Sequence, residues 1–353
     1  MSSASYDADT LEAYAAAVFA HAGLPEADAA TIARGLIKAN LRGLDSHGVS
    51  RMPMYIERLR RGLVNPRPEI RVEEVAGAVA SVDGDNAFGF LAAHRAMDEA
   101  MRLAESAGIG LAGVRNSTHF GMSALYVMQA LERGFVSMVF TNSSPAFPVH
   151  GGRTAFLGAA PIAAGIPGGK SGVPFLMDMS MTILARGKIR LAAMRGDPIP
   201  EGLALDAEGR PTTDAQKAFE GVILPFGGMK GSILSMLMDL MAGALTGANY
   251  GGDVKGLYYD HTGPQNVGHL MFAIRPDLFI PRAELEARMD TFVERVRALP
   301  RAAGVDEILM PGEPEVRTEA KRRAGGIPIT DNIVRDLTIL GESEGVAFPA
   351  PRA

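Results

Sequence analysis

Apolar residues in this chain change their spacing along its length, and that change limits the folds open to it. From residue 7 to 42 they recur at helical intervals, interrupted at Gly23-Leu24-Pro25, with Pro25 suited to the first turn of a second helix. A turn, Gly43-Leu44-Asp45-Ser46-His47-Gly48, leads into a helical stretch carrying Met52, Tyr55, Ile56 and Leu59, which stops at Gly62. The middle of the chain reads differently. Residues 77–82, Ile109–Val114, Val136–Thr141, and the runs around Ala155–Ile166 and Pro174–Met179 are short apolar segments bounded by Gly and Pro, as buried strands are. Helices are predicted between them, at about 91–106 with Gly108 as the stop and at Met122–Glu132. An apolar helix at about 231–247, a strand at about 268–275 and a charged helix at about 282–299 follow. Helices at both ends of a strand-rich centre predict a mixed α/β fold. The expected division is a helical part, 1–75, joined by C-terminal helices within 310–353, and a strand-rich part, 76–309.

The 353 residues suffice for two or three domains or one large discontinuous one. A net charge of −5 argues against a nucleic-acid-binding surface. The absence of Cys excludes thiolate catalysis, disulfides and thiolate metal sites. The opening MSSASYDADTLEAY lacks the basic and apolar regions of an export signal, and no run of 18 apolar residues occurs. A cytoplasmic protein without membrane or nucleic-acid partners is expected.

Two motifs fail on context. Gly108-Ile-Gly-Leu-Ala-Gly113 matches the dinucleotide fingerprint G-x-G-x-x-G, which needs a strand before it and a helix after it. Here the order is inverted. Ala164-Gly-Ile-Pro-Gly-Gly-Lys-Ser171 resembles a relaxed phosphate loop, but Pro174 and a strand-like run follow where a helix must open. A hairpin with a solvated Lys170 is the better account, and a nucleotide hydrolase acting through Lys170 is a distant rival.

Among seven His, two stand in informative settings. His47 occupies a turn with Asp45, Ser46 and Gly48, and Arg51 follows four residues later; Arg51 and Tyr55, spaced i, i+4, share a helix face. An imidazole that gives a proton beside a guanidinium that grips a carboxylate suits a carboxylic acid substrate. A capping turn in which Ser46 and Asp45 serve helix amides accounts for the same residues equally well. His119, in Asn116-Ser-Thr-His-Phe-Gly121, joins a strand to a helix; with Ser117 or Thr118 as N-cap it falls in the first turn, where a neutral imidazole is favoured, and a capped helix with the His on its rim accounts for the same residues equally well. No His pair has metal-ligand spacing, and no metal is expected. Lys230, in Phe226-Gly-Gly-Met-Lys-Gly-Ser232 at a helix start, suits an anion clamp, the commoner alternative being a solvated Lys in a glycine turn. Asp239, inside the apolar helix, needs a hydrogen-bonded partner if buried. His269 is expected in a strand, facing the core.

Arg42-Gly-Leu-Asp-Ser-His-Gly-Val-Ser-Arg51, Asn116–Gly121, Asp178-Met-Ser-Met-Thr182, Gly187-Lys-Ile189, Pro211-Thr-Thr-Asp214, Gly227-Gly-Met-Lys-Gly231 and Pro311-Gly-Glu313 together resemble the malate/L-lactate dehydrogenase family that lacks a Rossmann domain. Its relatives include diketogulonate reductase, ureidoglycolate dehydrogenase and piperideine-carboxylate reductase. The resemblance implies hydride transfer between NAD(P)H and C2 of a 2-oxo acid, a mostly antiparallel central sheet, and a homodimer whose cleft is formed partly by the second subunit.

Carried over by position, the resemblance implies that His47 is the proton donor with Ser46 beside it, and that His119 is the acid/base of the ureidoglycolate branch. It also implies that Ser143 touches substrate, and that Met122, Asp178, Met179, Ser180, Lys230, Gly312 and Glu313 belong to cofactor-binding stretches. Arg51 is the physical choice for the substrate carboxylate. Two departures stand out. Leu157-Gly-Ala-Ala160 precedes Pro161 where relatives have Thr-Asn, and Lys188 replaces the Asp of the piperideine-carboxylate branch. Asp178-Met-Ser-Met looks like the diketogulonate branch, which leans toward NADH. A non-catalytic ligand-binding or assembly protein on the same fold is the alternative of a different class.

Overall fold

The computed structural model describes residues 3–352 apart from 185 and 259. After β1 (Ser3–Tyr6), helix α1 (Ala8–His21) opens where the Asp7 carboxylate accepts hydrogen bonds from the Asp9 and Thr10 amides. Helix α2 (Glu26–Leu41) opens at Pro25 as its spacing predicts. Two short 3₁₀ turns, Asp45–His47 and Val49–Arg51, lead into α3 (Met52–Arg60). Leu11, Phe19, Ile32, Leu36 and Ile56 from these helices are fully buried in one core, which continues into the sheet through Val82, Val114 and Val139.

The central sheet contains β2 (Arg71–Ala76), β3 (Val79–Asp83), β4 (Ile109–Ser117), β5 (Val136–Thr141), β8 (Ile162–Ile166), β9 (Phe175–Met179) and β12 (Val267–Ile274). Two short pairs, β6 (Pro145–Phe147) with β7 (Leu157–Gly158) and β10 (Ala204–Leu205) with β11 (Val222–Ile223), lie outside it. Its spatial order is β2-β3-β4-β12-β5-β8-β9, and among the described residues only the β3–β4 pairing is parallel. The mostly antiparallel sheet is therefore observed. It begins at Arg71, inside the segment assigned above to the helical part. The run expected as one strand over Ala155–Ile166 is split, because Ala160 takes φ +31° just before Pro161.

Helices α4 (Gly89–Ala107) and α5 (Ala124–Glu132) pack on the sheet. Gly108 caps α4 in the left-handed region, and β4 follows at once. No helix start faces the three glycines, so the fingerprint is a cap and a close approach. A Cβ on Gly110 would lie 1.9 Å from the Ala100 carbonyl oxygen, so this glycine lets α4 rest on β4. The phosphate-loop match is an antiparallel hairpin between β8 and β9. Its Lys170 and Ser171 amides donate to the Asp290 carboxylate at 2.9 and 3.0 Å, which leaves them unable to receive a phosphate.

Helices α6 (Arg186–Arg195) and α7 (Ala215–Glu220) enclose a small core of Ile189, Ile199 and Ile223. The apolar helix predicted over 231–247 is α8 (Met229–Asp239), continued by a π-helical turn over Leu240–Ala244. Asp239 finds its partners at this junction, the Asn142 side-chain amide at 3.3 Å and the Gly251 backbone amide at 2.7 Å. The widened turn presses the Ala242 carbonyl onto Gly268, where a Cβ would come within 1.7 Å of it. After α9 (Arg282–Arg297), α10 (Glu313–Gly325) packs on α2. Strand β13 (Ile327–Thr330) returns to pair with β1, and α11 (Asp331–Glu344) covers α1 and α3. No helix among the described residues is long and apolar enough to cross a membrane.

Gly110→Ala is expected to destabilise the fold by about 3 kcal/mol, through a helix–strand clash with no repacking route. Thermal melting should show the loss, while NADH affinity of the folded fraction stays within about twofold. Weakened cofactor binding without lost stability would restore the fingerprint reading.

Candidate active site

The His47 turn is built by its neighbours. Asn40, 1% exposed, accepts the Val49 amide at 2.9 Å and donates to Asp45 at 2.7 Å. Gly48 is required beneath it, since a Cβ there would fall 2.0 Å from the Asn40 side-chain oxygen. From α10, Arg322 grips the Asp45 carboxylate with both terminal nitrogens, at 2.6 and 3.0 Å. Asp45 therefore anchors the turn and does not cap a helix, and the turn holds an exposed Ser46 beside a half-buried His47.

Ser46 Oγ and His47 Nδ1 are 3.0 Å apart. Arg51 donates from Nε to the Ser46 carbonyl at 2.5 Å. It also hydrogen-bonds the Tyr258 hydroxyl and lies 5.0 Å from the centre of that ring. The His119 ring stands 5.7 Å from the His47 ring, centre to centre, inclined by 22°. Its Nδ1 lies 2.6 Å from the Tyr55 hydroxyl, and its backbone amide donates to Gln265 Oε1 at 3.4 Å. Ser46, His47, Arg51 and His119 thus meet in one place. Neither histidine's Nε2 has a hydrogen-bond partner among the described residues.

His119 is not in the first turn of a helix. It lies in the loop between β4 and α5, and α5 begins only at Ala124. Thr118 serves α4 instead, accepting the Gly89 amide at 3.1 Å, because Gly89 packs so closely that a Cβ would strike the Thr118 carbonyl. Burial, not a helix end, keeps the ring neutral. Burial and then Arg51, His47 and His269 hold the His119 pKa well below the ordinary imidazole value. Burial and Arg51 lower His47 to about 4. His269 is in the core as expected, lowered by burial to about 3, stacked on Phe120 and hydrogen-bonded to Ser117 and Thr141 at 2.8 and 2.7 Å.

The stretches expected to bind cofactor gather at and near the edge strand β9. Leu176 donates its amide to the Pro311 carbonyl at 3.2 Å, which seats Gly312 (φ +95°) against the strand. Asp178 accepts the Ala124 amide at 2.8 Å at the start of α5, next to the buried Met122. Burial pushes its carboxyl up to about 6, against the pull of that amide and of Arg42. Met179 and Ser180 are exposed beyond it. The Phe226 amide then donates to the Met181 carbonyl at 3.0 Å and brings up the Gly227–Lys230 turn. Lys230 is exposed and without an ion-pair partner among the described residues, and a Cβ on Gly228 would meet open space. A cation with helix-start amides suits a pyrophosphate, and a carboxylate suits a ribose, so the donor set fits a dinucleotide. The Glu313 carboxylate is occupied by Arg297 and the Met310 amide. The Ser143 hydroxyl accepts the Ala160 amide at 3.4 Å.

Tyr258 and Gln265 had no sequence signal. Tyr55 had one, its i+4 spacing from Arg51, and becomes a site residue only when β4 delivers His119. Arg58, 1% exposed, was also missed; it donates to the carbonyls of Gly256, Asp260 and Gly263 and so ties the Tyr258 segment to α3.

The family model described as malate/L-lactate dehydrogenase matches residues 6–338. L-sulfolactate dehydrogenase of Methanothermobacter thermautotrophicus is 37% identical over 317 residues, 89% of each chain. The NAD⁺-named ureidoglycolate dehydrogenase of Escherichia coli is 33% identical over 316 residues, 90% of each chain. The solved sulfolactate dehydrogenase of Methanocaldococcus jannaschii superposes with a TM-score of 0.92 at 35% identity, covering 97% of this chain and 98% of that one. With its fold and these likenesses in agreement, the chain belongs to the malate/L-lactate dehydrogenase family of NAD(P)-dependent oxidoreductases.

Proposed function

We propose that the protein interconverts a small 2-hydroxy acid and its 2-oxo acid, with His47 moving the proton and Arg51 holding the carboxylate. The observation that carries this is the meeting of two neutral imidazoles, 5.7 Å apart, beside one guanidinium. When bound, NAD(P) accepts or returns the hydride at C2. His47, oriented through Nδ1 by Ser46, takes the hydroxyl proton at Nε2 during oxidation and returns it during reduction. Arg51, steadied by the Ser46 carbonyl and by Tyr258, presents its outer nitrogens to the carboxylate and fixes C2 beside His47. No observation favours the non-catalytic alternative.

The test is a panel of 2-hydroxy acids and 2-oxo acids, sulfonated and dicarboxylic members included, followed by nicotinamide absorbance. His47→Ala is expected to cut turnover about 10²–10⁴-fold, and Arg51→Met to raise the substrate KM about 100-fold. Near-wild-type turnover in His47→Ala would sink the assignment. Because the free enzyme's His47 titrates near 4, it is a ready base at neutral pH. kcat/KM for oxidation should be level from pH 8 to 6, while kcat/KM for reduction should rise as pH falls, about tenfold per unit. Arg51→Met should move the His47 titration upward, since it removes a positive neighbour.

Asp178 is assigned to a cofactor ribose and Lys230 to the pyrophosphate, an arrangement that favours NADH because a carboxylate repels a 2′-phosphate. Asp178→Ala should raise the NADH KM about tenfold or more and leave the acid's KM within about threefold. In the wild type, NADH affinity should fall as pH drops through about 6, where the Asp178 carboxyl gains its proton. A pH-independent affinity would argue against the carboxylate.

The chain is assigned as a homodimer through α8. Met229, Ile233 and Leu237 form an exposed apolar stripe along it, starting at the Lys230 turn and continued by Leu240 in the π-helical turn. Light scattering should give about twice the 37.3 kDa chain mass. The double variant Ile233→Glu, Leu237→Glu should be monomeric and poorly active; a monomeric, active wild type would refute the assignment.

A further inference from the structure

The hydrogen bonds around His119 determine which of its nitrogens carries the proton. Nδ1 lies 3.3 Å from the Gly121 backbone nitrogen and 2.6 Å from the Tyr55 hydroxyl. A backbone N–H can only donate, so Nδ1 is an acceptor in this arrangement. The Tyr55 phenol completes it by donating as well. The neutral ring must then hold its proton on Nε2, the nitrogen with no protein partner among the described residues.

Tyr55 is placed to enforce this. It is 1% exposed and meets Phe88 and Phe90 edge-on, with ring centres 5.6 and 6.1 Å away. Burial raises its pKa, so the phenol stays protonated and remains a donor. Besides burial, three charged or titratable neighbours oppose a second proton on the ring. Arg51 and His47 face it from the turn, and His269 from β12, while the uncharged Gln265 takes its backbone amide. A ring that can neither be charged cheaply nor offer Nε2 as an acceptor has one remaining use toward a substrate, which is to donate a hydrogen bond.

We propose that Tyr55 is a positioning residue which, with the Gly121 amide, locks His119 as the Nε2–H tautomer, so that His119 donates a hydrogen bond to the substrate's C2 oxygen while His47 alone moves the proton. This rests on the 2-hydroxy acid reading above. The division of labour follows from what each Nδ1 touches. His47 Nδ1 faces a serine hydroxyl, which can accept or donate and so supports either protonation state. His119 Nδ1 faces two donors, which support one. A fixed neutral imidazole polarises the oxo group and stabilises the developing alkoxide without itself exchanging a proton.

The tautomer is read directly by nitrogen NMR on the full chain carrying isotope-labelled histidine, from pH 5.5 to 8. Resonances of His119 are identified by their loss in His119→Gln. The expected result is a non-titrating ring with its proton on Nε2. A proton on Nδ1, or titration within that window, overturns the proposal whatever the enzyme's substrate proves to be. Silence of the whole acid panel would instead remove the 2-hydroxy acid reading and leave the tautomer decided.

Kinetics tests the role. Tyr55→Phe should lower kcat about tenfold with the NADH KM within about twofold, and its His119 spectrum should show both tautomers. His119→Gln, whose amide donates from nearly the same place, should keep at least about tenfold more turnover than His119→Ala and leave the pH profile unchanged. Equal loss in the two His119 variants, or loss in His119→Gln of the rise of kcat/KM for reduction at falling pH, would mean that His119 transfers the proton.

Discussion

The buried side chain of Asn40 is the contact on which the rest of the site depends. Its oxygen receives the Val49 amide and its nitrogen reaches Asp45, so one amide on α2 holds both sides of the His47 turn. The approach is close enough that residue 48 must be glycine. Asp45, held from this side, is gripped from the other by Arg322 on a helix nearly 280 residues away in sequence. Removing one buried partner leaves the others unsatisfied, which costs more than the bond itself contributes. The turn is therefore rigid for reasons that have nothing to do with substrate. That rigidity lets Ser46, His47 and Arg51 occupy fixed places on a short and partly exposed segment.

On this frame, electrostatics explains why two histidines and an arginine coexist. Burial discourages a charge on either ring, and Arg51, the nearest fixed cation, discourages it further. A carboxylate arriving at Arg51 would cancel that second influence and ease protonation of His47 when substrate is present. On the proposed reading, the guanidinium that holds the acid also adjusts the base beside it. His119 gains less from such a change, because its burial is deeper and its Nδ1 is already committed to donors.

Much of this was legible in the sequence, and the reasons differ by feature. The split at Gly23–Pro25, the stop at Gly108 and strand Val136–Thr141 follow from local rules of capping and spacing, and the structure agrees. Local context also exposed both nucleotide motifs as decoys. The pairing of Ser46 with His47 and the nearness of Arg51 were readable because all three lie within six residues. The partners of Asp239 were not, since Asn142 and Gly251 come from distant loops. Thr118 was misassigned for a related reason. A threonine before a helical run looks like its cap, but the run begins later and the hydroxyl serves α4, nearly thirty residues upstream. Tyr258 and Gln265 left no trace, because only the tertiary fold, with Arg58 holding the 256–263 segment on α3, brings them to the histidines.

The antiparallel sheet has a further consequence for the cofactor. In a doubly wound fold, a strand runs into a helix start and the amides there receive the phosphates. Here β4 enters between α4 and a long loop, so no such junction exists where the glycine fingerprint lies. The features suited to a dinucleotide gather at the outer strand β9 and just past its end instead, where the Leu176 amide donates to the Pro311 carbonyl and the Phe226 amide to the Met181 carbonyl, docking the Gly312 and Lys230 turns on either side of Asp178 in sequence. An edge strand with a free side offers unpaired backbone groups that must be covered or used. Docking the Gly312 turn on it covers part of that edge, and the Lys230 turn joins the chain just past it. On the proposed reading, three separate segments supply what a Rossmann fold obtains from one, which is why no single motif in the sequence announces it.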